Sequence, residues 1–357
     1  MTSEIRLGKI RIGGGSPIVI QSMAKTDTRD VSNTVGQIKE LEKAGCEVVR
    51  VAVKDAQAAS AIKKIKEKIN IPLVADIHFN YKLAIMAMEN GADKIRLNPG
   101  NIYKEDEVLE IAKIAKEKKI PIRVGVNSGS VCRDKRQGAR GKGGDLAGLM
   151  VKSALDYIKI LEKARFYDII VSLKAADVLV TLDAYRKFSK KSRYPLHLGI
   201  TASGPVSSGL VKSSIGIGAL LLEGIGDTIR VSLTGEACEE IVAARNILQT
   251  LHLRRFGPEI ISCPTCGRCQ LDMQRIVKDV EQHITHYTSH ITRERYPKIA
   301  IMGCEVNGPG EARDADIGIA FGKGAGVVFE NGKIIKRIKE GQAVDYLLRW
   351  LKVKGER

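Results

Sequence analysis

Two kinds of apolar pattern alternate along residues 17 to about 250. Short β-branched runs recur as PIVIQSM (17–23), EVVRVAV (47–53), PLVADI (72–77), KIRLNP (94–99), PIRVGVN (121–127), DIIVSLK (168–174), LHLGIT (196–201) and TIRVSLT (228–234). Between them lie stretches such as TVGQIKELEKAG, KLAIMAMENGA, SALDYIKILEKA and ACEEIVAARNILQTL. Their apolar residues fall three and four apart, with Gly or Asn near several C-terminal ends, the mark of amphipathic helices. Parallel strands need helical crossovers, so eight strand-helix units predict an α/β fold, a (β/α)8 TIM-type barrel. After RRFGPE the pattern changes to a cysteine triplet, the helix QLDMQRIVKDVEQHI, the strand KIAIMGC, a polar turn EVNGPGEARDAD, the strands IGIAF and GVVFENGKIIKRI, and a last helix AVDYLLRWLKVK. This predicts a small α+β domain over 256–357 behind a barrel over 1–255.

Composition narrows the chemistry. Lys and Arg number 58 against 41 Asp and Glu, a formal charge of +17, which calls for an anionic partner: nucleic acid, a phosphorylated metabolite or an acidic redox protein. Phe, Trp and Tyr make up only 4% of the chain, little material for stacking bases, so nucleic acid is disfavoured. No run of about 18 apolar residues offers a membrane span, and MTSEIRLGKIRIGGG lacks the apolar stretch of a signal peptide, so the expected location is cytoplasmic. Seven unevenly spaced cysteines do not make a disulfide framework; in a reducing compartment the clustered ones suit metal or redox work.

The strand ends are where barrel chemistry sits. They carry Arg50, Arg96 then Asn98, Arg123 then Asn127, Lys174, and Arg230 then Ser232. Five cations converging on one mouth would repel one another unless an anion neutralises them, and the guanidinium fork suits phosphate oxygens. Local carboxylates such as Asp76 or Glu47 are the competing partners for any single arginine. Asp76 and His78 in ADIHF form a candidate acid/base pair. The basic, glycine-rich loop RDKRQGARGKGGD (133–145) is either a lid or a plain connection, and GKGAG (322–326) reads as a turn between strands rather than a phosphate loop.

The stretch SCPTCGRCQ sets Cys263, Cys266 and Cys269 three residues apart, and Cys304 ends a later strand beside a Pro-Gly turn. Zinc could take Cys263 and Cys266 with His286 and His290, although the gap exceeds the usual finger spacing and leaves Cys304 unused. An iron-sulfur cluster accepts the CxxC step with a remote third thiolate and a carboxylate; spacing favours it and leaves zinc open. A dithiol redox pair ranks third.

IVIQSM with TDTRDV, LVADIHF, KIRLNPGNI, RVGVNSGS, DIIVSLKAADV, PLHLGIT, GIGDTIRVSLTG, ISCPTCGR and MGCEVNGPGEA run almost end to end through the chain. With them it resembles the 4-hydroxy-3-methylbut-2-enyl diphosphate synthases, reductive iron-sulfur enzymes of the methylerythritol phosphate route to isoprenoids. The resemblance implies a barrel followed by a cluster domain, with a 4Fe-4S cluster on Cys263, Cys266, Cys304 and Glu311, and Cys269 left over. It implies diphosphate binding by Arg50, Arg96, Arg123, Asn127, Lys174, Arg230 and Ser232; Glu311, with Asp76 and His78 from the strand ends, make up the catalytic candidates. The implied reaction reduces and opens 2-C-methyl-D-erythritol 2,4-cyclodiphosphate with loss of water, using ferredoxin or flavodoxin as donor, in a homodimer. Three departures stand out: Ala202 occupies the family's usual glutamate position in HLGITASGP, the loop 131–145 differs from the family's usual stretch, and Asn80 replaces a frequent aspartate. They keep a second enzymatic reading in view, a divergent member reducing another phosphorylated compound; a zinc-bearing nucleic-acid binder is the non-enzymatic one.

Overall fold

The computed structural model describes residues 1–131, 145–269, 271–288, 296–322 and 324–355. The chain divides into two units, Met1–Arg254 and Arg255–Arg357. No described helix is long and apolar enough to cross a membrane.

In the first unit a hairpin of β1 (Ile5–Leu7) and β2 (Ile10–Ile12) precedes the barrel. The barrel strands are β3 (Val19–Met23), β4 (Val48–Val53), β5 (Leu73–Ile77), β6 (Lys94–Leu97), β7 (Ile122–Asn127), β8 (Ile169–Lys174), β9 (His197–Leu198) and β10 (Thr228–Ile229). They pair in parallel in the order β8-β7-β6-β5-β4-β3-β10-β9, and a bridge between Val171 and Leu196 joins the two ends, so the sheet closes. The last two strands are shorter than the runs LHLGIT and TIRVSLT suggest, because pairing gives way at Gly199 and Arg230 to loops at the mouth.

Helices α1 (Val31–Ala44), α2 (Ala56–Lys66), α3 (Tyr81–Glu89), α4 (Glu105–Lys118), α5 (Leu146–Lys163), α6 (Val178–Ser189), α7 (Val206–Leu222) and α8 (Ala237–Thr250) form the outer ring. Five of them start the same way. Asp30, Asp55, Asn80, Asp145 and Asp177 each accept an amide hydrogen of the first helical turn, satisfying one of its free donors. Asn80 therefore caps α3 without a carboxylate, through Lys82 N at 3.0 Å.

The barrel floor is apolar. Val19, Val48, Val74 and Ile170 point inward there and are covered by Ile5, Leu7 and Ile12 of the hairpin. Sealing that end leaves the opposite, C-terminal end of the strands as the barrel's open face.

The second unit holds one sheet in the order β11 (Glu259–Ser262), β12 (Lys298–Met302), β13 (Ile317–Phe321), β14 (Gly326–Glu330), β15 (Lys333–Ile338). The first three strands are parallel and the last two antiparallel, with a bulge at Val328/Phe329. α9 (Met273–Thr288) and α11 (Ala343–Gly355) bury Met273, Ile276, Val280, Leu347 and Leu351 on one face. α10 (Gly308–Arg313) covers the other through Ala312, against Ala300, Met302 and Ala320. Neither β11 nor α10 is legible as an element in the sequence: β11 is only four residues before the cysteines, and α10 lies inside the Gly- and Pro-rich EVNGPGEARDAD.

Candidate active site

Alternate residues of a barrel strand face inward, and above the apolar floor those positions turn polar. Arg50 on β4, Asp76 on β5, Lys94 and Arg96 on β6, Arg123 on β7, Lys174 ending β8 and Arg230 just beyond β10 act on one another across the interior. Asp76 is the hub. Its carboxylate accepts from Arg96 Nη1 at 3.2 Å and faces Arg50 Nε at 3.8 Å. Arg96 Nη2 also donates to the Gly125 carbonyl at 3.0 Å, and its side chain lies so close to that strand that a Cβ on Gly125 would stand 2.4 Å from Nε. A Cβ on Gly199 would stand 2.7 Å from Lys174 Nζ. Both glycines are thus the room in which two cations sit.

Arg123, 1% exposed, donates to Gln21 Oε1 at 3.5 Å. Arg230 faces Glu240 at 3.6 Å, a buried carboxylate from α8 that also takes the Leu233 amide hydrogen and the Ser22 hydroxyl. Asn98 is buried but its Oδ1 accepts from Gly100 N and Ser130 Oγ, so it serves its own loop. Asn127, beside Lys174 in the strand register, and Ser232 are half-buried near the strand ends. Of the carboxylates weighed against the arginines, Asp76 pairs with two of them, whereas Glu47 is taken by Arg254 at 2.7 Å.

Burial lowers the pKa of Lys94, Lys174 and Arg123 well below the ordinary values, and the neighbouring arginines add to it. Arg50 is brought down to about 10 chiefly by burial, partly offset by Asp76. Burial alone would raise Asp76, but Arg50, Arg96, Arg123 and His78 outweigh it and hold the carboxyl at about 2. A group so held carries no proton near neutral pH. Asp76 thus serves as counter-ion to Arg50 and Arg96, and the part left to it in the expected pair with His78 is that of a proton acceptor, not a donor. His78 is half-buried beyond β5, with Nδ1 buried and without a partner. His197, fully buried, is kept neutral by burial and by Lys174, and its Nδ1 lies 2.7 Å from Thr228 Oγ1.

The charges do not balance inside the barrel. Asp76 and Glu240 face Arg50, Lys94, Arg96, Arg123, Lys174 and Arg230. Nε of Arg96, Arg123 and Arg230 are buried donors without a partner. An anion with several oxygens supplies both the missing charge and the missing acceptors. Sequence reasoning missed Lys94 and Glu240. Lys94 shares the inward parity of Arg96, two residues on, and could have been found that way; Glu240 comes from a helix face, where no strand pattern points to it. Ala202 is exposed with a left-handed backbone, φ +48°. Of the basic loop 133–145 only Asp145 is among the described residues, where it caps α5.

In the second unit, Cys263 follows β11 and Cys304 follows β12, so two adjacent parallel strands deliver them to the same end of the sheet. The Cys263 amide donates to Ile301 O at 3.1 Å. Thr265 takes a left-handed φ of +67° between the two cysteines of CPTC, and the Cys269 amide donates to Cys266 O at 2.9 Å, closing the next turn. Cys304 is held below the ordinary thiol range by the amide hydrogens of Asn307, Gly308 and Val306, and Cys266 by the amide and guanidinium of Arg268. Arg268 feels all three thiols, Cys266, Cys304 and Cys263. Thiols pre-set toward thiolate fit a metal cluster. The Cys269 Sγ packs against Gly303, where a Cβ would stand 2.5 Å away, and reaches Leu271 O at 3.6 Å. Glu311 is exposed on α10, whose first turn follows Cys304. Among the described residues no three His, Cys, Asp or Glu side chains converge closely enough for a single ion. A cluster several atoms across needs its ligands further apart than one ion does. The zinc reading falls on His290, outside the described residues, and on His286, whose side chain is also outside them.

The GcpE TIM-barrel domain matches residues 2–245, and the GcpE protein C-terminal domain matches 259–353. The chain belongs to the GcpE family. Among its GcpE-type relatives, the 4-hydroxy-3-methylbut-2-en-1-yl diphosphate synthase (flavodoxin) of Caldanaerobacter subterraneus is 53% identical over 349 residues, covering 98% of this chain and 96% of that one. The synthase of the same name from Thermodesulfovibrio yellowstonii is 53% identical over 347 residues, 97% of each chain. Among solved structures, the GcpE barrel is similar to dihydropteroate synthases. That of Yersinia pestis superposes with a TM-score of 0.51 at 11% identity, over 71% of this chain and 100% of that one. That of Stenotrophomonas maltophilia gives 0.52 at 13%, over 70% and 98%. At such identities the likeness is one of fold alone.

Proposed function

We propose that this protein is an oxidoreductase of isoprenoid biosynthesis that converts 2-C-methyl-D-erythritol 2,4-cyclodiphosphate to 4-hydroxy-3-methylbut-2-enyl diphosphate. The reading is supported by relatives of that name at 53% identity over nearly the whole chain. Relatives of one name at this identity over nearly the whole chain give no support to the reading of a divergent member acting on another phosphorylated compound. The observation that carries the reading is the barrel interior, where buried cations outnumber carboxylates and three arginine Nε donors lack partners.

Arg50, Arg96, Arg123, Lys174 and Arg230 bind the cyclic diphosphate, with Asn127 and Ser232 at the rim. They stabilise the charge that gathers on the diphosphate when the ring opens and its C–O bond breaks. The reaction takes up two electrons, and the departing hydroxyl leaves as water after protonation. His78, whose buried Nδ1 has no hydrogen-bond partner, is the candidate for handing over that proton. Cys263, Cys266, Cys304 and Glu311 hold a 4Fe-4S cluster, which when bound supplies the electrons one at a time. A carboxylate is a harder and weaker ligand for iron than a thiolate, so Glu311 marks the exchangeable position. The electron donor is flavodoxin or ferredoxin, the protein works in the cytoplasm, and two copies form a homodimer.

Anaerobic purification with iron and sulfide analysis, followed by turnover of the cyclodiphosphate with a chemical reductant, tests the whole reading. Cys304→Ala should lose most of the bound iron, and Cys269→Ala should keep it. Full iron retention in Cys304→Ala would remove the ligand assignment, and no turnover by a fully loaded enzyme would remove the substrate.

A further inference from the structure

The outer edge of the second unit's sheet, β15, differs from its neighbours in what it shows to solvent. Residues 333–339, KIIKRIK, hold Lys333, Lys336, Arg337 and Lys339 and no carboxylate. All four are exposed, and among the described residues no ion pair engages them. Charged residues on an edge strand commonly do no more than prevent another strand from adding. That duty does not account for Ile334 and Ile335, which are 65% and 51% exposed between the charges. Exposed apolar side chains set beside charges of one sign suit a surface that meets an oppositely charged protein.

The register ties this edge to the candidate cluster ligands. Ile338 pairs with Gly326 and Arg337 with Val327 on β14, and Gly326 in turn pairs with Phe321 on β13. Phe321 and Gly322 line a pocket with Cys304, Glu305 and Arg268. The cationic end of β15 therefore lies at the end of the sheet from which Cys263 and Cys304 emerge. Arg337 also shares the sheet face of Val327 and Ala320, the face that α10 and its Glu311 cover.

We propose that β15 with Lys339 is the docking edge for an acidic single-electron carrier protein, seated edge-on by Arg337 beside Ile334 on one face of the sheet, by Lys336 on the other, and by Lys339 at the strand's end. The proposal rests on the function proposed above and adds where the electrons enter. A small phosphorylated ligand does not suit this edge, because the register sets Lys336 and Arg337 on opposite faces of the sheet. Nucleic acid does not suit it either, since no aromatic side chain stands among them to stack a base. Exposed charges of one sign chiefly raise the association rate, so docking should weaken steeply as salt rises.

The experiment compares the cluster-loaded wild type with the charge-reversed variant Lys336→Glu/Arg337→Glu/Lys339→Glu. Turnover is driven either by reduced flavodoxin or by dithionite with methyl viologen, and flavodoxin binding is measured by calorimetry. Reversal should raise the KM for flavodoxin about tenfold or more, weaken binding in parallel and flatten its salt dependence, while dithionite-driven turnover stays within about twofold. A neutral variant, Lys336→Gln/Arg337→Gln/Lys339→Gln, should show the same trend to a smaller degree and serves if the reversed one aggregates. Unchanged flavodoxin binding and KM in both variants would overturn the docking edge and leave these residues as guards against strand addition. Wild type inactive with dithionite as well would indict the proposed reaction instead, and the binding measurement would still decide the edge.

Discussion

Asp76 and Lys94 show how much one inward-facing residue can matter in this barrel. Asp76→Asn would leave Arg50 and Arg96 buried beside a neutral amide, and removing one partner of a buried ion pair typically costs about 3–5 kcal/mol. The carboxyl is held at about 2 against an ordinary 3.8. Its contribution is therefore complete above the ordinary value and is lost as pH falls through about 2. Urea midpoints of the two proteins should differ by a constant amount at neutral pH and converge as the solution is acidified. Lys94 has the opposite sign. Its pKa is depressed in the fold, so the unfolded chain binds the extra proton and wild-type stability climbs as pH rises toward the ordinary lysine value of 10.5. Lys94→Met should accordingly stabilise the protein at pH 7, by at least about 1 kcal/mol, with the gap narrowing toward pH 10 in thermal melts. A destabilised Lys94→Met would mean that the amine is satisfied by the fold.

At the scale of elements, close approach of backbones decides where functional side chains are held. α10 lies directly on β13: a Cβ on Gly318 would stand 2.2 Å from the Ala312 carbonyl oxygen and 2.6 Å from its Cα. Backbone cannot yield as a side-chain tip can, so Gly318→Ala should lift α10 and destabilise the second unit by about 1–3 kcal/mol. Because α10 carries Glu311 and its amides face Cys304, iron retained after anaerobic reconstitution should fall as well. Gly310→Ala, with nothing within 4 Å of the added carbon, is the control and should retain iron like the wild type. Elements of this kind are the ones the sequence hid. A six-residue helix made of GPGEAR has no apolar period to read, and its position comes from packing of Ala312 against Ala300 and Ala320.

For the whole molecule, the division into Met1–Arg254 and Arg255–Arg357 puts the residues proposed to bind the anion and those proposed to hold the cluster in different units. If the homodimer completes each site with one barrel and the partner's cluster unit, mixing Lys174→Ala subunits with Cys266→Ala subunits should restore activity that neither has alone. About a quarter of wild-type activity is expected at equal mixing, since random exchange puts half the subunits in mixed dimers and each of those holds one intact pairing of barrel and cluster. Subunit exchange confirmed by mass with no recovered turnover would place each site within a single chain.

The sequence by itself determined the barrel, since alternating β-branched and amphipathic runs leave parallel strands with helical crossovers as their packing solution. It also determined which strand ends carry Arg50, Arg96, Arg123, Lys174 and Arg230, because a period of two and a known functional end suffice to place them. What only tertiary structure decided was how those charges settle with one another. Asp76 became a counter-ion because two arginines from neighbouring strands reach it, and proximity across strands is not written in local pattern. Lys94 lost its ordinary basicity because the closed barrel strips it of water beside Arg123 and Arg50. Glu240 entered the barrel interior from a helix. Local sequence sets which groups are present and on which face; burial and long-range contact set their charge, partners and task.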